Sequence, residues 1–291
     1  MGGTPLASGT TPPAVTLTGS ASGNVAFRME IQTTGALGAS TFRYGAANDG
    51  TTSTWIEQNV PTAATYAAIG ALAGVTINFP AGTYTNDNVY QGTLSAWTDQ
   101  VNAKAASQAS AGLQPRILIP AINHPAFRFD GGNDVITETT LDLPPPGTTP
   151  TYFWGVASVV SWVVTRAMMA TGNAGSTMVI GSGGEVTPNW HFSNGAVSPS
   201  NGGATVGSYF QLEVGCSNVA GDFFKLGATT VTGILGNSDS AAGINLGAAT
   251  TGAFQANMDW VVLLIFSGIP TAGERNALTS AAASMYPGIL Q

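Results

Sequence analysis

Apolar residues recur at every second position along much of this chain. Val25, Phe27, Met29 and Ile31 alternate with Ala26, Arg28 and Glu30, and Val75, Ile77 and Phe79 alternate with Thr76 and Asn78. A period of two predicts half-buried strands. Residues 41–44 and a stretch opened by Trp55 predict two more, with Asn48-Asp49-Gly50 between them as a hairpin signal. The Ala-rich piece 62–72 fits either a short helix or an extended connection. Further on, strands are predicted at 115–119 and 126–129, where Phe127 and Phe129 flank Arg128. They lead into the turn Asp130-Gly131-Gly132-Asn133-Asp134, after which Val135 and Ile136 begin another strand. Residues 152–164 are almost continuously apolar and predict a buried strand pair. Strands from Met168, at 177–180, 189–192 and 209–214, a hairpin at 223–226 and 229–232, and a closing strand at 257–266 complete the pattern.

The last segment changes period. Thr271 with Glu274 three residues on forms a capping box, Ala277, Leu278, Ala281 and Met285 fall on one helical face, and Pro287-Gly288 stops the helix. The expected class is therefore all-β with a short C-terminal helix. Residues 1–20 are Gly, Thr, Pro and Ala without charge or clear period, which predicts a flexible arm, either free or ordered by a neighbouring subunit. Residues 21–92 are expected to form a small β-sandwich-like module and 93–291 a larger β-domain.

Composition narrows the partners. Charged residues are 8% of the 291, against roughly 25% in an average soluble protein, and Thr, Ser, Asn, Gln and Gly supply the polarity instead. The net charge is −7 and the eight Lys and Arg are scattered singly, so neither nucleic acid nor an anionic membrane surface is an expected partner. No apolar run approaches the roughly 18 residues of a membrane helix. Met1-Gly2-Gly3-Thr4 resembles no secretory leader, so a role outside a cell is expected to be reached as part of an assembly. The single cysteine, Cys216, is expected to fill core space.

Three kinds of chemistry can be weighed. Asp130 and Asp134 could hold calcium, but that ion takes six to eight oxygens and the loop offers part of the set, so capping of backbone N–H groups is the expected role. No other cofactor is expected. Glycoside hydrolysis needs two carboxylates roughly 5–10 Å apart, whereas Glu185, Glu213, Asp222 and Asp259 each stand alone in sequence. His124 and His191 lack partners at metal-ligand spacing, and no Gly-x-Ser-x-Gly elbow occurs. Sugar binding uses an aromatic platform and amide groups. Trp190, His191 and Asn194 beside a Gly/Ser/Asn loop, with Tyr209 from a neighbouring strand, supply those types. The alternative is that Trp190 packs in the core, as expected of Trp154, Trp162 and Trp260.

Two stretches carry family resemblances. Residues 35–55 (GALGASTFRYGAANDGTTSTW) and 74–84 (GVTINFPAGTY) resemble a β-module of tailed-phage structural proteins. Trp97-Thr98-Asp99-Gln100 followed by Phe127-Arg128-Phe129-Asp130-Gly131-Gly132-Asn133-Asp134 resembles the concanavalin A-like (laminin-G-like) lectin and glucanase jelly rolls. It departs from them in having Val101-Asn102-Ala103 where a Gly usually follows the Trp-x-Asp element. The resemblance implies a virion component on the particle surface, as a head decoration, head fibre or tail-associated protein. Its partners would be capsid or tail proteins, copies of itself as a homo-oligomer, and host-surface polysaccharide bound by the jelly roll. A glycan-cleaving depolymerase and a purely architectural subunit are the alternatives.

Overall fold

A computed structural model describes residues 5–19, 26–47, 53–93, 96–98, 105–110, 113–118, 126–142, 150–161, 166–171, 178–182, 190–194, 200–201, 206–217, 221–233, 242–248, 255–285 and 287. The fold is all-β, with several antiparallel sheets and one helix among the described residues. The chain divides into two compact units, one of 1–94 with 116–127 and one of 95–115 with 128–291. No described helix is long and apolar enough to cross a membrane.

The first unit is built from short strands: β1 (Leu6–Ser8), β2 (Thr16–Gly19), β3 (Phe27–Thr33), β4 (Gly35–Ala36), β5 (Thr41–Ala47), β6 (Ser53–Pro61), β7 (Thr65–Ala67), β8 (Val75–Asn78), β9 (Thr83–Tyr84) and β10 (Val89–Gln91). Its main sheet runs β1-β10-β3-β5-β6, and a smaller one runs β2-β8-β7. The predicted alternation is realised: Phe27, Met29 and Ile31 are buried together with Val75, Ile77 and Phe79 in one core that also holds Phe42, Tyr44, Tyr84 and Tyr90. Burial of this apolar surface is the main stabilising term.

The expected arm is corrected here. Residues 6–8 and 16–19 are strands, β1 pairing with β10 and β2 with β8, and Val15 and Leu17 belong to the core. Polar contacts fasten the connection: the Thr10 N–H and hydroxyl donate to Asp87 Oδ2 at 2.8 and 2.6 Å, and Tyr90 donates to the Pro13 carbonyl at 3.0 Å. Segment 62–72 resolves into β7 and a 3-10 turn at Gly70–Leu72. Strands β5 and β6 pair with Ala47 opposite Ser53, while the Asn48-Asp49-Gly50 turn lies outside the described residues, as do Val25, His124, Trp162 and Glu185.

Next in chain order come β11 (Ala96–Thr98) and β12 (Ala105–Ser107) of the second unit and β13 (Arg116–Leu118) of the first. Strand β14 (Ala126–Asp130) begins in the first unit and enters the second at Arg128, and the second unit continues with β15 (Ile136–Asp142), β16 (Thr151–Val159), β17 (Arg166–Thr171), β18 (Met178–Ser182), β19 (Trp190–Asn194) and β20 (Ser200–Asn201). It closes with β21 (Tyr209–Cys216), β22 (Phe223–Leu226), β23 (Thr229–Thr232), β24 (Ala242–Leu246), β25 (Asn257–Ser267) and α1 (Ala272–Met285). One sheet runs β11-β12-β15-β24-β17-β18-β19-β20 and the other β14-β25-β16-β21-β22-β23. Residues 151–159 of the apolar run form β16, which is central and flanked by β21 and β25, so all nine of its residues are buried, while 162–164 lie outside the described residues.

The sheets meet across a core containing Met168, Met169, Ile244, Leu246, Phe129 and Trp260. The Trp260 indole N–H reaches the Met168 carbonyl at 3.4 Å from the opposite sheet. Close approach explains Gly247, whose φ is +82° and whose added Cβ would sit 2.0 Å from the Phe129 ring. Cys216 is buried at the end of β21, as expected. The helix lies on the outer face of the second sheet. Its capping box forms, the Thr271 N–H donating to Glu274 Oε2 at 2.7 Å and the Glu274 N–H to Thr271 Oγ1 at 3.3 Å. The buried stripe differs from the predicted one. Contact runs through Arg275, stacked 4.4 Å over Phe223, through Thr279, bonded to Gln211, and through buried Ala282, whereas Ala277, Ala281 and Met285 are exposed.

Candidate functional site

The residues expected to gather around a sugar divide between the two sheets of the second unit. Trp190, His191 and Asn194 lie on β19, in from the end of its sheet, where only the two-residue β20 follows. The register sets Trp190 between Ser182 and Asn201, His191 between Gly181 and Ser200, and Asn194 opposite Met178. The three occupy positions 1, 2 and 5 of the five-residue strand. Their side chains lie outside the described set.

Tyr209 begins β21, in the other sheet, and has a different occupation. Its hydroxyl donates to Asp259 Oδ2 at 2.8 Å, and the same carboxylate receives Arg128 Nε on Oδ1 at 2.7 Å and Arg128 Nη2 on Oδ2 at 2.8 Å. Asp259 is buried, and the two-pronged guanidinium contact is the geometry that makes such burial tolerable. Burial and the Asp259 charge both hold the Tyr209 phenol well above its ordinary pKa. This is a bracing contact linking β14, β21 and β25.

Glu213 is likewise far from alone. It accepts from Tyr152 at 2.8 Å on one oxygen and from Lys225 Nζ at 2.6 Å and Gln211 Nε2 at 2.5 Å on the other. Gln211 in turn donates to Thr279 on α1 at 2.9 Å, so the buried carboxylate helps seat the helix. The strand makes room next to it: a Cβ on Gly215 would lie 2.4 Å from the Phe223 ring. Asp222 accepts from the Ser217 N–H at 2.7 Å and its hydroxyl at 2.6 Å, closing the β21–β22 turn.

In the Asp130–Asp134 turn, Asp134 Oδ2 accepts the Asp130 N–H at 2.9 Å and Asp130 Oδ1 accepts the Gly132 N–H at 2.7 Å. Gly131 sits at φ +77°, and its Cβ position is crowded by Asn257. Both carboxylates thus do the turn-forming work expected of them. Among the described residues, no three His, Cys, Asp or Glu side chains gather in a metal-holding group.

The first unit holds a further acid cluster that sequence reasoning missed. Glu57 Oε2 receives the hydroxyls of Tyr44 and Tyr66, both at 2.5 Å, and the Ile69 N–H donates to the Tyr44 oxygen at 3.0 Å. Burial and the Glu57 contact raise both phenols. Glu30 bridges two guanidiniums, Arg28 Nη2 at 2.7 Å and Arg43 Nη2 at 2.6 Å. Burial opposes its ionisation, but the bonds from Arg43 and Arg28 prevail and hold the carboxyl below the usual range. A signal for the Glu30 group was present in the alternation Arg28-Met29-Glu30. None marked Glu57, whose partners come from other strands.

No protein-family model and no curated protein sequence matches the chain. Several solved structures do. The binding domain of botulinum neurotoxin serotype G aligns at 10% identity and a TM-score of 0.44, over 66% of this chain and 52% of that one. Botulinum neurotoxin type C, whose passage into cells depends on interaction with two ganglioside molecules, aligns at 12% and 0.43, over 65% and 51%. A Trypanosoma rangeli sialidase in complex with the inhibitor DANA aligns at 11% and 0.44, over 64% and 30%. The chain spans about half the length of the first two and less of the third. No family membership follows.

Proposed function

We propose that the chain is a non-catalytic structural component of a tailed-phage particle whose jelly roll binds host-surface glycans. The observation that carries the binding half is the setting of β19. Trp190 and Asn194, an aromatic residue and an amide residue, stand four positions apart on this strand, near a sheet end where only two residues of β20 follow. That pair supplies the apolar surface and the hydrogen-bonding group a pyranose ring needs. The phage half is supported by the resemblance of residues 35–55 and 74–84 to a phage β-module and by the charge-poor composition. The non-catalytic reading is supported by the acids. Glu30, Glu213, Asp222 and Asp259 are each held by cations or backbone and hydroxyl donors inside the fold, and such acids are poorly placed to act on a substrate.

The test is a panel of bacterial surface polysaccharides probed with the full chain and with Trp190→Ala and His191→Ala. Binding is expected for the parent and His191→Ala and lost by at least tenfold in Trp190→Ala. Release of reducing sugar from any member of the panel, or binding indifferent to Trp190, overturns the proposal. Labelled antibody on intact particles tests the location, and its absence there removes the phage half alone.

A further inference from the structure

The first unit contains a small pocket of about 180 Å³ lined by Leu6, Ser8, Arg28, Val89, Gln91 and Arg116. Strand register explains why these six meet. Leu6, Gln91 and Arg28 are paired across β1, β10 and β3, and Ser8, Val89 and Glu30 form the next row. Opposite residues in a sheet share a face. This is the face turned away from the core, because Tyr90 and Met29, the intervening pair, are buried in it. Arg116 comes from β13, which is tied alongside by a bridge to Thr93 and by the Ile117 N–H donating to the Gly92 carbonyl at 3.0 Å.

The polar atoms of this pocket are unbalanced. Gln91 is 5% exposed, yet among the described residues its Nε2 has no hydrogen-bond partner, and the buried Nε of Arg116 has none either. Leaving a buried donor unmet is costly, more so for a charged group. Both side chains line this one cavity, which favours an acceptor as its occupant. Charge points the same way: the only described carboxylate in these rows, Glu30, is already shared by Arg28 and Arg43, and Arg116 adds a third guanidinium. Leu6 and Val89 supply apolar wall. The volume equals roughly six waters at ~30 Å³ each, enough for a carboxylate on a stem of two or three methylenes.

We propose that this pocket binds a carboxylate carried on a short aliphatic stem, its oxygens accepting from Arg116 Nε and Gln91 Nε2 while Leu6 and Val89 pack against the stem. The group could be a free alkyl carboxylic acid or the side chain of a glutamate in a partner protein, and the two sources use the same contacts. The proposal stands independently of glycan binding by the second unit.

Nitrogen–proton correlation spectra of the full chain follow the Arg116 Nε–H and the Gln91 side-chain amide directly. The probes are acetate, glutarate and a blocked Gly-Glu-Gly peptide, each against sodium chloride at matched ionic strength. Both signals are expected to shift saturably with the carboxylates and not with chloride, with glutarate tighter than acetate because its stem meets the apolar wall. A tighter peptide than glutarate assigns the site to a partner's glutamate, and a tighter glutarate to a free acid. Arg116→Gln is expected to weaken binding at least tenfold. Gln91→Glu places a carboxylate in the pocket and is expected to abolish binding while keeping or raising the melting temperature, which separates loss of the site from loss of the fold. The proposal is overturned by shifts that chloride reproduces, by no saturable shift in the parent, or by binding unchanged in Gln91→Glu.

Discussion

Asp259 and Tyr209 show how single residues in this fold are committed to one another. The carboxylate is buried and satisfied from both sides, so its value depends on which partner is removed. Tyr209→Phe deletes one hydrogen bond to a charged group and leaves Arg128 in place, which is expected to cost about 1–3 kcal/mol. Asp259→Ala removes the buried carboxylate that both Arg128 and Tyr209 bond to and is expected to cost about 3–5 kcal/mol. Urea unfolding of both variants and the double variant measures this. A double variant equal to the sum of the singles would show that the two residues are not coupled.

Local elements were the most legible part of the sequence. The hairpin of β22 and β23, the in-phase Val75, Ile77 and Phe79, and the Thr271–Glu274 cap all follow from contacts within a few residues, and all appear as expected. What escaped was whatever depends on distant segments. Strands β1 and β2 lack a period of their own and exist because residues some sixty to eighty-five positions away receive them, as Leu6 meets Gln91. Arg128 and Asp259 lie 131 residues apart, so neither announces the other. The helix is a third case: its apolar stripe was legible, but a sheet face bearing Gln211 and Glu213 selects the stripe with Arg275 and Thr279. The candidate sugar site was legible as residue types, while the placing of Tyr209 and Trp190 in different sheets depends on long-range pairing that no local pattern carries.

At the scale of the molecule, the tyrosines report on both units at once. All six tyrosines among the described residues have phenols pushed above the ordinary value, with burial the leading cause in each and Tyr84 raised to about 12. A phenol raised in the folded state contributes stability that is complete below the unfolded value near 10 and is lost as pH rises through the folded one. Phenolate absorbance is therefore expected to grow little around pH 10 and then to rise together with loss of the far-ultraviolet circular dichroism. Ionisation of most tyrosines near pH 10 with the dichroism intact would contradict this.

One end of the first unit's main sheet is β6, nine residues long. A strand of that length in terminal position is an open template on which another copy can add itself. The register breaks twice along it, Asn59 takes a left-handed φ of +56°, and Pro61 ends it without an N–H. Each irregularity bends or blanks the row of donors and acceptors that a second chain would need. These defects act as insulation, keeping a second copy from fusing edge to edge. Pro61→Val, which restores a donor at an exposed position, is expected to raise concentration-dependent association in light scattering without lowering the melting temperature. Scattering that stays flat with concentration would assign the irregular edge no such role.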